Sequence, residues 1–212
     1  MVSILTGELK FPSVSETSPE GLLAIGGDLS VERLLLAYRN GIFPWFDDDD
    51  PILWWSPDPR FVLFPERLKV SKSMKQVLRN TDFVVTVNKA FREVITSCSK
   101  IKRHGQPSSW ITQDMITGYM ALHELGYAKS VEVWLNGELA GGLYGVDLGN
   151  GVFCGESMFT NVSNASKAGF ITFIQNTNYK LIDCQVYTNH LESLGAEDMT
   201  REEFLKYLTG DE

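Results

Sequence analysis

The chain has few of the residues that build disulfide frameworks and metal centres. Its 212 residues include three cysteines, Cys98, Cys154 and Cys184, which lie far apart and form no CxxC pair. The three histidines also lack the spacing of metal ligands. This composition argues against a disulfide-stapled domain and against a zinc site, and it is typical of a protein in a reducing cytoplasm.

Long apolar runs are absent as well. A run such as Leu34–Ala37 is far too short to cross a bilayer, which takes about 20 apolar residues in a helix. The amino terminus shows no charged start followed by an apolar stretch and a cleavage site, so no signal peptide is expected. We therefore expect a cytoplasmic protein with no membrane partner.

The common nucleotide and metal motifs are missing too. The sequence contains no GxxxxGK[ST] loop, no GxGxxG after a predicted strand, and no HExxH. A nucleophilic pair of Cys184 and His190 is conceivable, but we expect Cys184 to be a buried structural thiol.

The chain is acidic, with 27 Asp and Glu against 19 Lys and Arg and a net charge of −8. This balance argues against a protein that coats nucleic acid, because such proteins are usually basic. It still allows contact with a few phosphates through a local basic patch, and an acidic body can attract a cationic substrate.

A boundary near residue 60 is predicted to divide the chain into a small amino-terminal domain, 1–60, and a larger domain, 61–212. Before the boundary, Ser30 is predicted to cap a helix that stops at Asn40–Gly41. The segment from Phe43 to Arg60 is rich in proline and tryptophan, which favours an ordered loop.

The larger domain is predicted to mix helices with an antiparallel sheet, so the expected class is α+β. Strands are predicted at 82–87, 130–135, 138–147, 151–159 and 180–186, and Asn–Gly pairs mark two hairpins. Helices are predicted at 71–80, after a cap at Asn88, from a cap at Thr112 to Gly126, at about 164–176, and after a capping box formed by Thr200 and Glu203.

Polar residues in two predicted strands are candidates for chemistry. Asp183 and Gln185 alternate with Cys184, so they are predicted to project into one cleft while Cys184 turns into the core. Such a pair can relay hydrogen bonds from an amine, or it belongs to a solvated strand face. Glu156 interrupts an apolar strand and must be partnered or neutralised there, which fits either a functional acid or a structural ion pair.

Basic residues cluster at two places in the sequence, and either cluster could bind phosphates. Lys72, Lys75 and Arg79 lie on one face of the predicted helix 71–80, and Lys102 and Arg103 lie in a later polar segment. The alternative is that these charges form ordinary solvated faces.

Four tryptophans lie outside predicted helices and strands. Trp45, Trp54, Trp55 and Trp110 could stack on a nucleobase, which gains roughly 1–3 kcal/mol per base. They could equally fill the seam between two domains.

The chain resembles the leucyl/phenylalanyl-tRNA–protein transferase family in an ordered set of segments that spans most of its length. These segments read GLLAIGGDLS, GIFPWF, ILWWSPDPR, SWIT, HELGYAKSVEVW, GGLYGV, FCGESMF, NASK and LIDCQV. The run Asp47–Asp50 is more acidic than the family pattern.

The resemblance implies a small amino-terminal domain and a larger domain similar to the GNAT acetyltransferase fold. It implies an enzyme that takes Leu or Phe from aminoacyl-tRNA and adds it to proteins with amino-terminal Arg or Lys, marking them for the N-degron degradation pathway. It implies neither a metal nor an organic cofactor.

The resemblance also assigns roles to individual residues. Asp183 and Gln185 match the family's proposed catalytic pair, and Glu156 matches its active-site glutamate. Trp45 and Trp110 match the aromatic residues around the terminal adenosine. The positions that match the pocket for the Leu or Phe side chain are Leu143, Phe153, Gly155, Met158, Phe170, Phe173 and Ile182.

The implied chemistry needs positioning more than a strong nucleophile, because the donor is an ester and the acceptor amine is partly neutral near pH 7. We expect Gln185 to orient the amine and Asp183 to favour its deprotonation or steady its developing charge. A substrate-assisted route, in which the ribose hydroxyl shuttles the proton, fits equally well.

Two other classes of function stay open. An acyl-CoA-dependent N-acetyltransferase would share the implied fold, but its [Q/R]xxGx[G/A] loop is absent and residues 160–167 contain no glycine. A noncatalytic RNA-binding module is disfavoured by the acidic net charge.

Strict strand alternation raises one conflict within the implied pocket. Phe153 and Met158 would face opposite sides of their strand, although both are expected to line one pocket. A β-bulge near Gly155 would place them on the same side.

Overall fold

The structure is a computed structural model that describes residues 2–101 and 110–210. Its helices are α1 Val31–Arg39, α2 Lys72–Asn80, α3 Phe91–Ser99, α4 Gln113–Glu124, α5 Ala165–Gln175, α6 Asn189–Ser193 and α7 Arg201–Thr209. Its strands are β1 Ser3–Leu5, β2 Leu22–Gly26, β3 Phe43–Pro44, β4 Leu53–Trp55, β5 Arg60–Leu63, β6 Val84–Val87, β7 Ala128–Leu135, β8 Glu138–Asp147, β9 Val152–Thr160, β10 Leu181–Gln185 and β11 Glu197–Met199.

The strands form two sheets. A four-stranded sheet has the order β1-β2-β4-β3, and a seven-stranded sheet has the order β11-β5-β10-β9-β8-β7-β6. In the larger sheet β9 and β10 are parallel and the other neighbours are antiparallel. The predicted α+β class, with a small amino-terminal part and a larger main part, is therefore confirmed.

Helices cover both faces of the larger sheet. On one face, α1, α3 and α4 pack over a core that includes Leu34, Val94, Tyr119 and Cys154. On the other face, α5 and α2 pack over a second core, which includes Phe153 and Ile171. Because the first core also contains residues of the small sheet, it runs across the predicted boundary near residue 60, and that boundary stays a prediction.

Side-chain caps begin the helices that the sequence predicts. Ser30, Ser71 and Thr112 each accept a hydrogen bond from a backbone N–H of the first turn, which satisfies a donor that the helix leaves free. Thr200 and Glu203 form the expected capping box.

Asn88 does not cap helix α3, so this prediction is wrong. Its side-chain oxygen accepts the N–H of Ser130, 3.0 Å away, and α3 begins at Phe91 after an Ala90 N-cap. The buried carboxylate of Glu132 instead accepts the N–H groups of Lys89 and Ala90 at 3.2 Å each. Glu132 thus anchors the two residues that precede α3, and no side chain caps the helix itself.

The segment from Phe43 to Arg60 is more regular than the predicted loop, because it contributes strands β3 and β4 to the small sheet. Strands β5 and β11 and helix α6 were also not predicted. All are short, so their alternation is too brief to detect in the sequence.

A β-bulge interrupts the pairing of β8 with β9. Tyr144 lies opposite Ser157 and Gly145 lies opposite Gly155, so Glu156 is the extra residue. Phe153 and Met158 consequently pack into the same core, on the α5 side of the sheet. The bulge expected near Gly155 is confirmed.

Within the described ranges, no helix has the length and apolar character needed to cross a membrane.

Candidate active site

A cavity of about 640 Å³ opens where β9 and β10 stop pairing. The last paired residues are Cys154 and Asp183. Just beyond them lie the bulge at Glu156 in β9 and a second register shift between Asp183 and Gln185 in β10. One end of the cavity is apolar and the other is polar.

The apolar end is built by side chains of the sheet and of α5. The residues that line it are Leu143, Gly155, Met158, Phe170 and Ile182, five of the seven positions that the resemblance assigns to the pocket for the donor side chain.

Phe153 and Phe173 were also expected there, but the structure places them behind this wall. Their rings pack edge to face with centroids 4.9 Å apart, and both are almost fully buried in the core.

The polar end is organised around Glu156, which is 8% exposed. The side-chain amide of Gln185 donates to its Oε1 at 2.9 Å, and the hydroxyl of Tyr119 donates to its Oε2 at 2.8 Å. Tyr38 in turn hydrogen-bonds the Tyr119 hydroxyl. Burial raises the pKa of Glu156 to about 7, although hydrogen bonds from the two tyrosines oppose the rise. Glu156 can therefore exchange a proton at neutral pH.

Asp183 is wholly buried, and its carboxylate accepts hydrogen bonds from Arg60 and from the backbone of Gln185. The Nε of Arg60 donates to its Oδ1 at 2.8 Å and Nη2 of Arg60 donates to its Oδ2 at 2.7 Å. The backbone N–H of Gln185 donates to the same Oδ1 at 2.9 Å. Asp183 thus forms a buried ion pair that the sequence did not predict, and it is also one of the residues that line the cavity.

Gln185 does not share a simple strand face with Asp183. Its backbone adopts a left-handed conformation with φ of 63°, which is uncommon for residues other than glycine. Cys184, expected in the core, is half-buried: it packs against the α5-side core and also lines the cavity.

Arg60 is a residue of the site that the sequence did not single out. Its guanidinium carbon lies 4.7 Å from the ring centroid of Phe43 and 4.7 Å from that of Phe204. Its Nη1 donates to the carbonyl of Gly41 at 3.1 Å. One signal was present, a lone arginine directly before the apolar run 61–64, but its partner is 123 positions away.

The tryptophans divide between the two roles that the sequence left open. Trp54 is buried in the core and donates to the carbonyl of Gly26 at 2.8 Å. Trp45 and Trp110 line the cavity, and Trp45 remains 37% exposed. Trp110 is only 5% exposed, so of the two rings Trp45 is the more open to solvent.

Lys72, Lys75 and Arg79 are exposed on α2, which packs against α5. Lys102 and Arg103 lie outside the described residues.

A thiol nucleophile is disfavoured, because burial strongly raises the pKa of Cys184. In residues 2–101 and 110–210, no group of three or more His, Cys, Asp or Glu side chains is placed to hold a metal ion.

Comparison with known protein families identifies the family of the chain. The family model described as leucyl/phenylalanyl-tRNA protein transferase matches residues 62–209, and the model of that family's N-terminal domain matches residues 27–58. The chain belongs to the leucyl/phenylalanyl-tRNA–protein transferase family. It is an aminoacyltransferase whose donor is aminoacyl-tRNA and whose acceptor is a protein.

Curated relatives carry the same family name over nearly their full lengths. The protein of Flavobacterium johnsoniae is 59% identical, over 95% of this chain and 96% of its own. That of Flavobacterium psychrophilum is 58% identical, over 96% and 98%, and that of Chromobacterium violaceum is 50% identical, over 98% and 91%.

Among solved structures, a GCN5-related N-acetyltransferase from Kribbella flavida aligns with a TM-score of 0.38 and 10% identity, over 78% of this chain and 60% of its own. A likeness at this level supports no conclusion about fold or function.

Proposed function

We propose that the enzyme moves Leu or Phe, and also Met, from aminoacyl-tRNA to the α-amino group of proteins that begin with Arg or Lys. In this proposal the products enter the N-degron degradation pathway of the cytoplasm. The supporting observation is a single cavity that joins an apolar wall to a buried glutamate titrating near neutral pH.

The apolar wall suits the side chain of the donor amino acid. Leu143, Met158, Phe170 and Ile182 offer contacts without hydrogen-bonding groups, so the wall should accept several unbranched or aromatic hydrophobic side chains. Such a pocket discriminates by only about 1–3 kcal/mol per methylene. We expect β-branched Ile and Val to fit less well because of their shape.

The tRNA end is proposed to lie on the aromatic side of the cavity. Trp45 and Trp110 would hold the terminal adenosine by stacking, which is worth roughly 1–3 kcal/mol per base. Lys72, Lys75 and Arg79 on α2 would contact phosphates, and Lys102 and Arg103 are further candidates.

The acceptor amine is proposed to approach Glu156 and Gln185. An α-amino group has a pKa of about 7.7–8.0, so a useful fraction is neutral at physiological pH. The side-chain oxygen of Gln185 can accept one N–H of the amine, since its nitrogen already donates to Glu156. The acidic net charge of −8 favours a cationic acceptor such as a protein that begins with Arg or Lys.

The bond changes are those of an ester aminolysis. The amine nitrogen attacks the ester carbonyl carbon, the carbon–oxygen bond to the ribose breaks, and an amide forms. One amine proton passes to the Glu156 carboxylate and then to the departing ribose oxygen, directly or through the neighbouring ribose hydroxyl. Asp183 is left out of this transfer because it is wholly buried and its charge is paired with the Arg60 guanidinium, which favours the ionised carboxylate over a protonated one.

One incubation series tests the proposal. The purified protein is mixed with radiolabelled Phe-tRNA, Leu-tRNA, Val-tRNA or acetyl-CoA, and with acceptor proteins that differ only in an initial Arg, Lys, Glu or Ala. We expect label from Phe-tRNA and Leu-tRNA on the Arg and Lys acceptors. Label on all acceptors alike would contradict the acceptor rule, and label from acetyl-CoA would contradict the donor.

A further inference from the structure

Arg60 connects three parts of the fold at the back of the cavity. It begins β5, is 1% exposed, and lies between a ring of β3 and a ring of α7. Its Nη1 holds the carbonyl of Gly41, at the end of α1. Contacts with the small sheet, with the carboxyl-terminal helix and with the Gly41 carbonyl therefore fix the plane of the guanidinium that binds Asp183.

The guanidinium then fixes Asp183. Two parallel hydrogen bonds, at 2.8 and 2.7 Å, set both the position and the rotation of the carboxylate. In that orientation, Oδ1 accepts the backbone N–H of Gln185 at 2.9 Å. Arg60 does not line the cavity, so its effect on the position of Gln185 passes through Asp183, while its charge also lowers the pKa of Glu156 directly.

The hydrogen bond from Gln185 to Asp183 matters because of the backbone conformation there. A left-handed residue other than glycine persists only where its surroundings hold it in place. This conformation directs the Gln185 side chain out of the strand alternation and towards Glu156, where its Nε2 lies 2.9 Å from Oε1. Relaxation of the turn would move the amide away from the carboxylate.

We propose that Arg60 is a positioning residue of the transfer reaction, which acts through Asp183 to hold the left-handed turn at Gln185 and so aligns Gln185 with Glu156. The inference rests on the proposed function, in which Gln185 and Glu156 meet the acceptor amine. Asp183 is then the link between Arg60 and Gln185, which accounts for a functional aspartate that is wholly buried.

The first test replaces Arg60 by lysine. Lysine keeps the positive charge beside Asp183 but cannot form the planar fork, so the carboxylate can rotate and the Gln185 turn can relax. We expect kcat to fall by about 10²-fold, the effect of misplacing a reacting group by about an ångström. KM for aminoacyl-tRNA should stay unchanged, because Arg60 holds no part of the donor site.

Arg33→Lys is the matched control. Arg33 is also 1% exposed and pairs with Asp28, but its other partners are the carbonyls of Thr6 and Glu8, remote from the cavity. Both variants should melt at a lower temperature than the unmodified enzyme. Arg33→Lys should keep the kcat of the folded enzyme, and an equal kcat loss in both variants would reduce Arg60 to a structural role.

The pH dependence of kcat separates a role in the reaction from a purely structural role, because a loss of stability alone would not shift its acidic limb. Arg60 lowers the pKa of Glu156 and Asp183 raises it, so Arg60→Met should shift the acidic limb of kcat to higher pH, whereas Arg60→Lys should leave the limb in place. The groups that face Glu156 are Tyr119 of α4, Tyr38 of α1, Arg60 of β5, Asp183 of β10 and Cys154 of its own strand. An unmoved limb in Arg60→Met would overturn the proposal. If Arg60→Met does not fold, the kcat of Arg60→Lys decides.

Two further variants separate this inference from the proposed function. Gln185→Ala and Glu156→Gln are measured in the same assay. If both leave kcat unchanged, the proposed roles of Glu156 and Gln185 fail and the inference about Arg60 fails with them, whereas the donor and acceptor classes are judged by the incubation series. If both lower kcat while Arg60→Lys does not, only the positioning role of Arg60 is overturned.

Discussion

Replacing Glu156 by glutamine should make the protein more stable at alkaline pH. The change keeps the shape of the side chain, and its oxygen can still accept the Tyr119 hydroxyl. Burial raises the pKa of Glu156 from 4.5 to about 7 in the folded state. The folded protein therefore holds this proton more tightly than the unfolded chain does, and ionisation above pH 4.5 favours unfolding.

The magnitude follows from the pKa shift. At about 1.4 kcal/mol per pKa unit, the whole penalty is on the order of 3 kcal/mol. It is absent well below pH 4.5, grows as the pH rises, and is complete above pH 7. Between pH 5 and pH 8 the unmodified protein should lose about 2.5 kcal/mol of unfolding free energy relative to the Glu156→Gln variant.

The assay is urea unfolding of both proteins at pH 5 and pH 8. Glu138→Gln, at an exposed glutamate that begins β8, controls for the loss of a carboxyl group as such. A stability difference between Glu156→Gln and the unmodified protein that is the same at both pH values would refute the reasoning. It would mean that Glu156 titrates normally despite its burial.

Three other outcomes are expected. Leu143→Phe and Met158→Phe should shrink the apolar end of the cavity and lower kcat/KM for Phe-tRNA more than for Leu-tRNA; equal losses for the two donors would show that these residues do not line the side-chain pocket. Cys184→Ala should keep most transfer activity, measured with either donor, whereas its loss would point to a thioester intermediate. Replacement of the three basic residues of α2 by glutamine should weaken aminoacyl-tRNA binding and lower the slope of log affinity against log salt by the equivalent of up to about three phosphate contacts. An unchanged slope in a filter-binding titration would exclude this surface as the phosphate contact. The residues are Lys72, Lys75 and Arg79.

Features set by local chemistry could be read from the sequence. Ser30, Ser71 and Thr112 cap helices because a hydroxyl at that position meets the free N–H groups of the first turn. The conflict between Phe153 and Met158 even located a bulge, since alternation and a shared pocket cannot otherwise both hold.

Features set by distant partners could not be read in this way. The sequence around Asp183 indicates only an unpaired carboxylate on a strand. Its partner is Arg60, which lies 123 residues earlier in the chain and donates hydrogen bonds to it. The left-handed turn at Gln185 breaks the strand alternation from which the direction of its side chain was predicted. No neighbouring glycine indicates this turn in the sequence. Asn88 likewise does not cap α3, because its side-chain oxygen accepts the N–H of Ser130, a residue of β7 that lies 42 positions later.

The resemblance supplied residues of the apolar end but not their exact places. Phe153 and Phe173 pack edge to face with each other in the core and are not among the residues that line the cavity. A sequence match places a residue near a site, and only packing decides whether its side chain reaches the cavity.

The most direct test of the proposed chemistry is single-turnover transfer from saturating Phe-tRNA by the Glu156→Gln variant. If Glu156 accepts the amine proton, the rate at pH 8 should fall by about 10²-fold or more while binding of Phe-tRNA is unchanged. A rate near that of the unmodified enzyme would contradict this role and would leave the ribose hydroxyl of the donor as the group that carries the proton.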